Sequence, residues 1–348
     1  MRATPVKWSR TDGPHDSSSC ANIAECRVTH YAFTWTFDFN QRQIACTAAL
    51  SVEFNPNAEC TSVLLDVHDK LSVSSVASAG ESLKFTKSKF CPWGGHQLAI
   101  ELPLSRKRKP GDEPPPVIIT IAYSTSGEPA VNWLAPSQTL GNAFPMCYSM
   151  GFACCNRALF PCQDTPAVRA TFDATFIVPP PDGVDASAWA SQLRVACAAG
   201  AVTDGSRVQR AADAIMPPAN SFVALYEMRQ SLPPYLIGAF VVGRLAQQDI
   251  GPRSAVWAEP ELLTAACEEF DGVVETYLQT GERLFGAYSW ERYDVIMMYV
   301  LDRVSKPAYC CHNPERPAWS SLVRIGPRHL HTAAWRTHGS PSSRRPLW

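Results

Sequence analysis

In this 348-residue chain, metal and acid–base chemistry depends first on the spacing of histidines, cysteines and carboxylates. Two histidines four residues apart on one helix, with a glutamate between them, hold a metal and supply a base for its water. The eight histidines are His15, His30, His68, His96, His312, His329, His331 and His338, and no two are four apart. The shorter clusters are Cys310-Cys311-His312 and His329-Leu330-His331. Adjacent cysteines do not reproduce the two-residue spacing of a zinc knuckle, and no second cysteine pair follows, so no metal site is expected there. The chain also has no Gly-x-Ser-x-Gly elbow, no P-loop and no Gly-x-Gly-x-x-Gly turn.

The elements that would position a site are strands over most of the chain. In HYAFTWTFDF, Tyr31, Phe33, Trp35, Phe37 and Phe39 alternate with smaller or polar residues. After the turn Asn40-Gln41-Arg42, the run QIACTAALSVEF alternates again through Ile44, Cys46, Ala48, Leu50, Val52 and Phe54. Two period-2 segments across a short polar turn predict an antiparallel hairpin with one buried face. The pattern recurs at 61–67, 96–102, 117–123, 170–178, 192–197 and 221–228, separated by turns rich in proline and glycine. Many short strands with few helical windows predict a mainly β domain. The basic run Ser105-Arg106-Lys107-Arg108-Lys109-Pro110 falls between two strands and reads as a solvated loop.

From about Gly243 the pattern changes. GPRSAVWAEP offers one more strand, and Pro260 opens a helical window through Leu263, Ala266, Phe270, Val273, Val274, Tyr277 and Leu278. Pro260 suits the first helical position, Glu261 the first turn and Gly281 a C-terminal cap. A short helix or turn at 282–289 and a strand at 293–298 follow, the opening of an α/β domain. Beyond Tyr299 periodicity is lost. Residues 299–348 hold eight Lys and Arg against Asp302 and Glu315, a net +6, which leaves −7 for the rest of a chain whose total is −1. Such a segment has too little periodic apolar surface to pack and is expected to be an irregular tail.

Composition excludes further classes. A 46% hydrophobic and 18% charged chain is globular, and its near-neutral total gives no steering toward nucleic acid or acidic membrane. No run approaches 18 uninterrupted apolar residues, and the first twenty have no apolar signal core. The thirteen cysteines are odd in number and scattered through strands, so they read as reduced thiols of a cytoplasmic protein.

Five segments, AVNWLAPSQT (130–139), NRALFPCQDTPAVRATF (156–172), PPYLIGAFVVGRL (233–245), IGPRSAVWAEP (250–260) and GERLFGAYSWERYDV (281–295), resemble one family in one order. It is the zinc aminopeptidases of the aminopeptidase B type, which includes the leukotriene epoxide hydrolase, and the resemblance covers about residues 25–298. It implies a mainly β fold: a saddle-like antiparallel β N-terminal domain, then an incomplete α/β thermolysin-like catalytic domain and the irregular tail. The expected boundaries are a flexible 1–24, a β domain at 25–240, the catalytic domain's start at 241–298 and the divergent tail at 299–348. The family's Gly-x-Met-Glu-Asn and His-Glu-x-x-His segments are absent from this sequence. The chain is therefore expected to be truncated before its chemistry, to bind no zinc and to be inactive alone. The family also carries a Gln-x-Gln pair that helps hold the substrate's N-terminus. Those positions are Met150 and Phe152 here. A glutamine donates and accepts, whereas a thioether accepts only weakly and a phenyl ring not at all. The bland reading is that Met150 and Phe152 fill a hydrophobic gap. The resemblance implies peptide substrates with basic N-terminal residues. The alternative is a binding or regulatory module that holds peptides or pairs with a full-length relative. Chaperones are a further possible partner. Neither nucleic acid nor membrane is expected.

Overall fold

The protein's structure, a computed structural model, describes residues 16–91, 95–103 and 116–299 and the backbone of two later strands. The basic loop 105–110 and the clusters Cys310-Cys311-His312 and His329-Leu330-His331 lie outside the described residues. No helix among the described residues is long and apolar enough to cross a membrane.

The chain divides into two compact units, 1–133 with 147–241, and 134–146 with 242–348. The first is mainly β. Strands β1 (Cys26–Asp38) and β2 (Gln43–Phe54) form the antiparallel hairpin, with Trp35 opposite Cys46 and Phe37 opposite Ile44. Tyr31, Phe33, Trp35 and Phe37 are buried on one face, as the alternation requires. Next come β3 (Ser62–His68), β4 (Ser72–Ser78), β5 (Glu81–Ser82), β6 (Phe85–Cys91), β7 (Gly95–Glu101) and β8 (Val117–Thr125). Of these, β3, β7 and β6 make a separate three-stranded antiparallel sheet, while β8 pairs with β2. After β9 (Val131–Leu134) and β10 (Met146–Ser149), β11 (Ala170–Val178) lies parallel to β1.

Two helices interrupt the strands where sequence periodicity gave no sign of them. Helix α1 (Ala186–Gln192) follows Asp185, whose carboxylate accepts from Ala188 N at 2.6 Å. After β12 (Leu193–Cys197) and β13 (Gly200–Ala201), α2 (Gly205–Ile215) follows Asp204, which accepts from Ser206 N at 2.9 Å. Both are aspartate N-caps, a signal present in the sequence. Strand β14 (Phe222–Leu232) then completes an eight-stranded sheet of order β13-β14-β11-β1-β2-β8-β4-β5. Its core is aromatic: Trp35 stacks on Phe33 at 4.7 Å and meets Phe176 edge-on at 5.2 Å. Strand β15 (Phe240–Arg244) joins β12, β10 and β9 in a four-stranded sheet.

The flexible N-terminus expected over 1–24 is tied down from residue 16 onward. Ser19 Oγ and Cys20 N donate to the buried Asp66 carboxylate at 2.5 and 2.8 Å.

In the second unit, β16 (Ala246–Gly251) and β17 (Ser254–Ala258) lead into α3 (Pro260–Phe270) and α4 (Val273–Phe285), then β18 (Asp294–Tyr299). Here the single helical window is corrected to two helices. Gly272 takes φ +67, a left-handed conformation that ends one helix turn and opens the next. Gly281, expected as a C-cap, lies inside α4, which ends instead before Gly286. Strands β17 and β18 are parallel, and Val256, Ala258, Ala266, Cys267, Val274 and Val295 form the core between the sheet and the helices. The apolar run 295–298 does not end the sheet: β19 (Ser320–Ile325) pairs antiparallel with β18, and β20 (Trp335–Arg336) pairs with β19.

Candidate functional site

The loop that follows β10 carries Met150 and Phe152, and it is pinned at both ends. Ser149 Oγ donates to Gly238 O at 3.1 Å and accepts from Phe240 N at 2.8 Å. Met150 N donates to Ala130 O at 2.6 Å. On the far side, the buried Asn156 donates through Nδ2 to Pro234 O and Ile237 O at 2.6 and 2.9 Å. Gly151 passes so close to that carboxamide that a Cβ would fall 2.3 Å from Asn156 Oδ1. Between these anchors Met150 and Phe152 point outward, 38% and 61% exposed. The Phe152 ring meets Tyr235 edge-on at 5.7 Å. The gap-filling reading is therefore corrected: backbone and Asn156 occupy the interior, so the two side chains are left on the surface. They present an apolar contact with no donor and no charge, able to grip by dispersion but without the hydrogen bonds a glutamine would offer an ammonium group.

The same stretch holds the buried charges. Arg157 Nε donates to Asp164 Oδ2 at 2.9 Å, and its Nη2 donates to Ser18 O at 2.8 Å. Asp66 accepts from Asp164 N at 2.9 Å and lies 4.0 Å from Arg157 Nη1. Burial pushes the Asp164 carboxyl up to about 6, against the pull of Arg157. Gln163 bridges to β1, accepting from Val28 N at 2.9 Å and donating to Cys26 O at 3.0 Å. Asn156, Arg157, Gln163 and Asp164, all within the 156–172 segment of the resemblance, thus lock the fold rather than face a substrate.

Three other places gather polar groups. His30 Nδ1 lies 2.7 Å from Thr171 Oγ1, and its Nε2 lies 3.6 Å from Asp173 Oδ2. Burial lowers the His30 pKa while Asp173 raises it. That row has the order of a nucleophile, base and orienting acid, but it lies on an open sheet face formed by adjacent strands. A concavity of about 440 Å³ on the eight-stranded sheet is lined by Thr34, Thr36, Thr47, Ser74, Tyr123 and Ser124 among others. It offers hydroxyls for binding and no acid–base pair for turnover. In the second unit, Glu259 is buried at the start of α3, and its Oε1 accepts from Leu140 N at 2.9 Å. Burial raises its pKa, and Oε2 has no hydrogen-bond partner among the described residues. Periodicity gave no warning of Glu259, because segment 134–146 meets it across a long stretch of chain.

Comparison with known proteins decides the family. A family model for the peptidase M1 N-terminal domain matches residues 28–190. Human aminopeptidase B is 32% identical over 304 residues, covering 81% of this chain and 41% of that protein. The chain belongs to the M1 peptidase family, in its aminopeptidase B and LTA4 hydrolase branch. Rat aminopeptidase B is 43% identical over 180 residues, 52% of this chain and 24% of the relative. The solved structure of yeast LTA4 hydrolase in complex with bestatin aligns with a TM-score of 0.66 at 26% identity, over 83% of this chain and 40% of that one. The chain thus spans less than half the length of these M1 relatives.

M1 zinc aminopeptidases use zinc, and the residues described here do not fit it. Among them, no three His, Cys, Asp or Glu side chains converge on a point that could hold the ion. Asp66 and Asp164 already face Arg157, and a guanidinium between two carboxylates occupies the place a cation would need.

Proposed function

We propose that this chain is the N-terminal portion of an aminopeptidase B-like zinc metallopeptidase and does not release N-terminal residues from peptides by itself. The complete enzyme's reaction in this reading is removal of basic N-terminal residues. The observation that carries it is the pairing of an M1 N-terminal domain at 28–190 with a histidine set lacking any i, i+4 pair. Without two such histidines and the glutamate between them, neither the metal nor the base for its water has a helix to stand on. The outward Met150 and Phe152 support the same reading, since neither offers the hydrogen bonds by which a glutamine holds a substrate's ammonium. Free thiols at the ten cysteines whose side chains are described support a cytoplasmic protein. Elemental analysis after dialysis against zinc-containing buffer should find well under one zinc per chain. One tightly held zinc would overturn the reading.

A second reading is favoured by one feature. Helix α4 buries Val274 but exposes Tyr277, Leu284 and Phe285 by 68, 69 and 87%. Large apolar side chains left in water along one helix suit an interface. In this reading the chain is a non-catalytic module that pairs with a full-length relative. Co-sedimentation with purified full-length aminopeptidase B tests it. A complex lost on Phe285→Glu supports pairing, and two independently sedimenting species refute it.

A further inference from the structure

We propose that Cys26 and Cys60 form a redox modification site, a thiol pair that closes into a disulfide and staples the start of β1 to the segment entering β3. The argument begins with Asn22. Its carboxamide touches both sulfurs: Cys26 Sγ donates to Asn22 Oδ1 at 3.4 Å, and Cys60 Sγ lies 3.8 Å from Asn22 Nδ2. The amide cannot turn away, because Nδ2 also donates to Glu25 Oε2 and Ser62 O, and Oδ1 accepts from Leu64 N, all within 2.8–2.9 Å. Cys60 Sγ makes a further contact to Ser62 O at 3.1 Å. Both residues are fully buried, so the sulfurs are held in one place with no freedom to diverge.

The two thiols also act on each other electrostatically. Cys60 and burial raise Cys26, whereas Cys60, beside Cys26, is the one described thiol held below its ordinary value. Burial pushes up the thiols at Cys20, Cys46, Cys147, Cys154, Cys155, Cys162, Cys197 and Cys267. A thiolate is the attacking species in exchange, so this pair has a nucleophile and an adjacent resolving thiol.

The co-reactant is a low-molecular-weight disulfide such as oxidised glutathione. The Cys60 thiolate attacks one of its sulfurs, its S–S bond breaks, and one glutathione thiolate leaves. Cys26, after losing its proton to solvent, attacks the resulting mixed disulfide at Cys60 Sγ and expels the second glutathione thiolate. Two protein thiols are oxidised and one glutathione disulfide is reduced to two thiols. Because the sulfurs are buried in the folded chain, the exchange takes place by local opening that admits glutathione while segment 22–26 stays docked on 60–64 and Cys26 still lowers Cys60.

The test is refolding of the full chain at graded ratios of oxidised to reduced glutathione, followed by alkylation and non-reducing digestion. Trypsin with a glutamyl endopeptidase cuts after Glu25, Arg27, Arg42, Glu53, Glu59 and Lys70, which puts Cys20, Cys26, Cys46 and Cys60 on separate peptides. A Cys26–Cys60 cross-link should appear at a lower oxidant ratio than any other disulfide and vanish with dithiothreitol. It should raise the thermal midpoint by several degrees, because it closes a loop of roughly 35 residues in the unfolded chain. Cys60→Ser should remove both the cross-link and the shift. Recovery of Cys26 and Cys60 as separately alkylated peptides while other cysteines oxidise would overturn the proposal. So would preferential pairing of either with a different cysteine.

Discussion

The side chains of Met150 and Phe152 occupy the positions at which the resemblance placed an amide pair, and their surroundings decide what replacing them would do. Backbone anchors at Ser149 and Met150 N and the Asn156 carboxamide hold the loop without help from either side chain. The double change Met150→Gln, Phe152→Gln should therefore alter unfolding free energy by no more than about 1 kcal/mol, as exposed substitutions do. Residues filling an interior gap would cost about 2–5 kcal/mol each on truncation or polar replacement. Denaturant titration of the double variant separates the two cases. Sequence alone located these residues but not their direction, because the burying agent is Asn156, whose partners Pro234 and Ile237 come from a distant segment. The same limit applies to Arg157 and Asp164. They are legible as part of a family motif, yet only the folded chain places Asp66 and Ser18 around them.

Among the elements, the alternating strands were the readable part. Residues 31 to 37 bury every second side chain along β1, and the pattern by itself fixes the face and the hairpin. It carries no information on which distant strand lies on the other side, so the parallel pairing of β1 with β11 was not legible. The helical window failed for a local reason: Val273 and Tyr277 fit the period, but Gly272 breaks the helix and turns that face toward water. What then orients α4 is Arg253, from the Ile-Gly-Pro-Arg-Ser segment. Its guanidinium donates to Glu275 at 3.1 Å and to both Glu282 oxygens, at 2.8 and 2.7 Å, and it sits 5.9 Å from the centre of the Tyr288 ring. These bonds hold the Glu282 carboxyl down to about 2 from an ordinary 4.5, and Glu275 is lowered too. A carboxylate whose folded pKa is depressed stabilises above its unfolded pKa and loses that contribution as protons bind. Stability of the second unit should thus fall as pH drops from about 4.5 toward 2. Glu282→Gln should flatten this acid limb in helix content followed by circular dichroism. An unchanged acid limb in the variant would show that Arg253 does not set it.

At the scale of the whole molecule, two units with separate cores share one chain. The first carries the M1 N-terminal match, and the second has a β-α-α-β opening whose sheet is continued by β19 and β20. Composition and alternation pointed to the first unit, and the change of period near residue 243 pointed to the second. The inclusion of 134–146 in the second unit was beyond reach, since its link to Glu259 spans more than a hundred residues. A zinc aminopeptidase has to polarise a carbonyl, activate water and present a base together, and an isolated carboxylate such as Glu259 supplies roughly 10²–10⁴-fold at most without the metal. The most direct measurement is turnover of an arginyl amide by the purified 348-residue chain in zinc-containing buffer, with and without a chelator. We expect the rate with protein to equal the uncatalysed rate in both arms. Turnover that rises in proportion to protein and is abolished by the chelator would contradict the account.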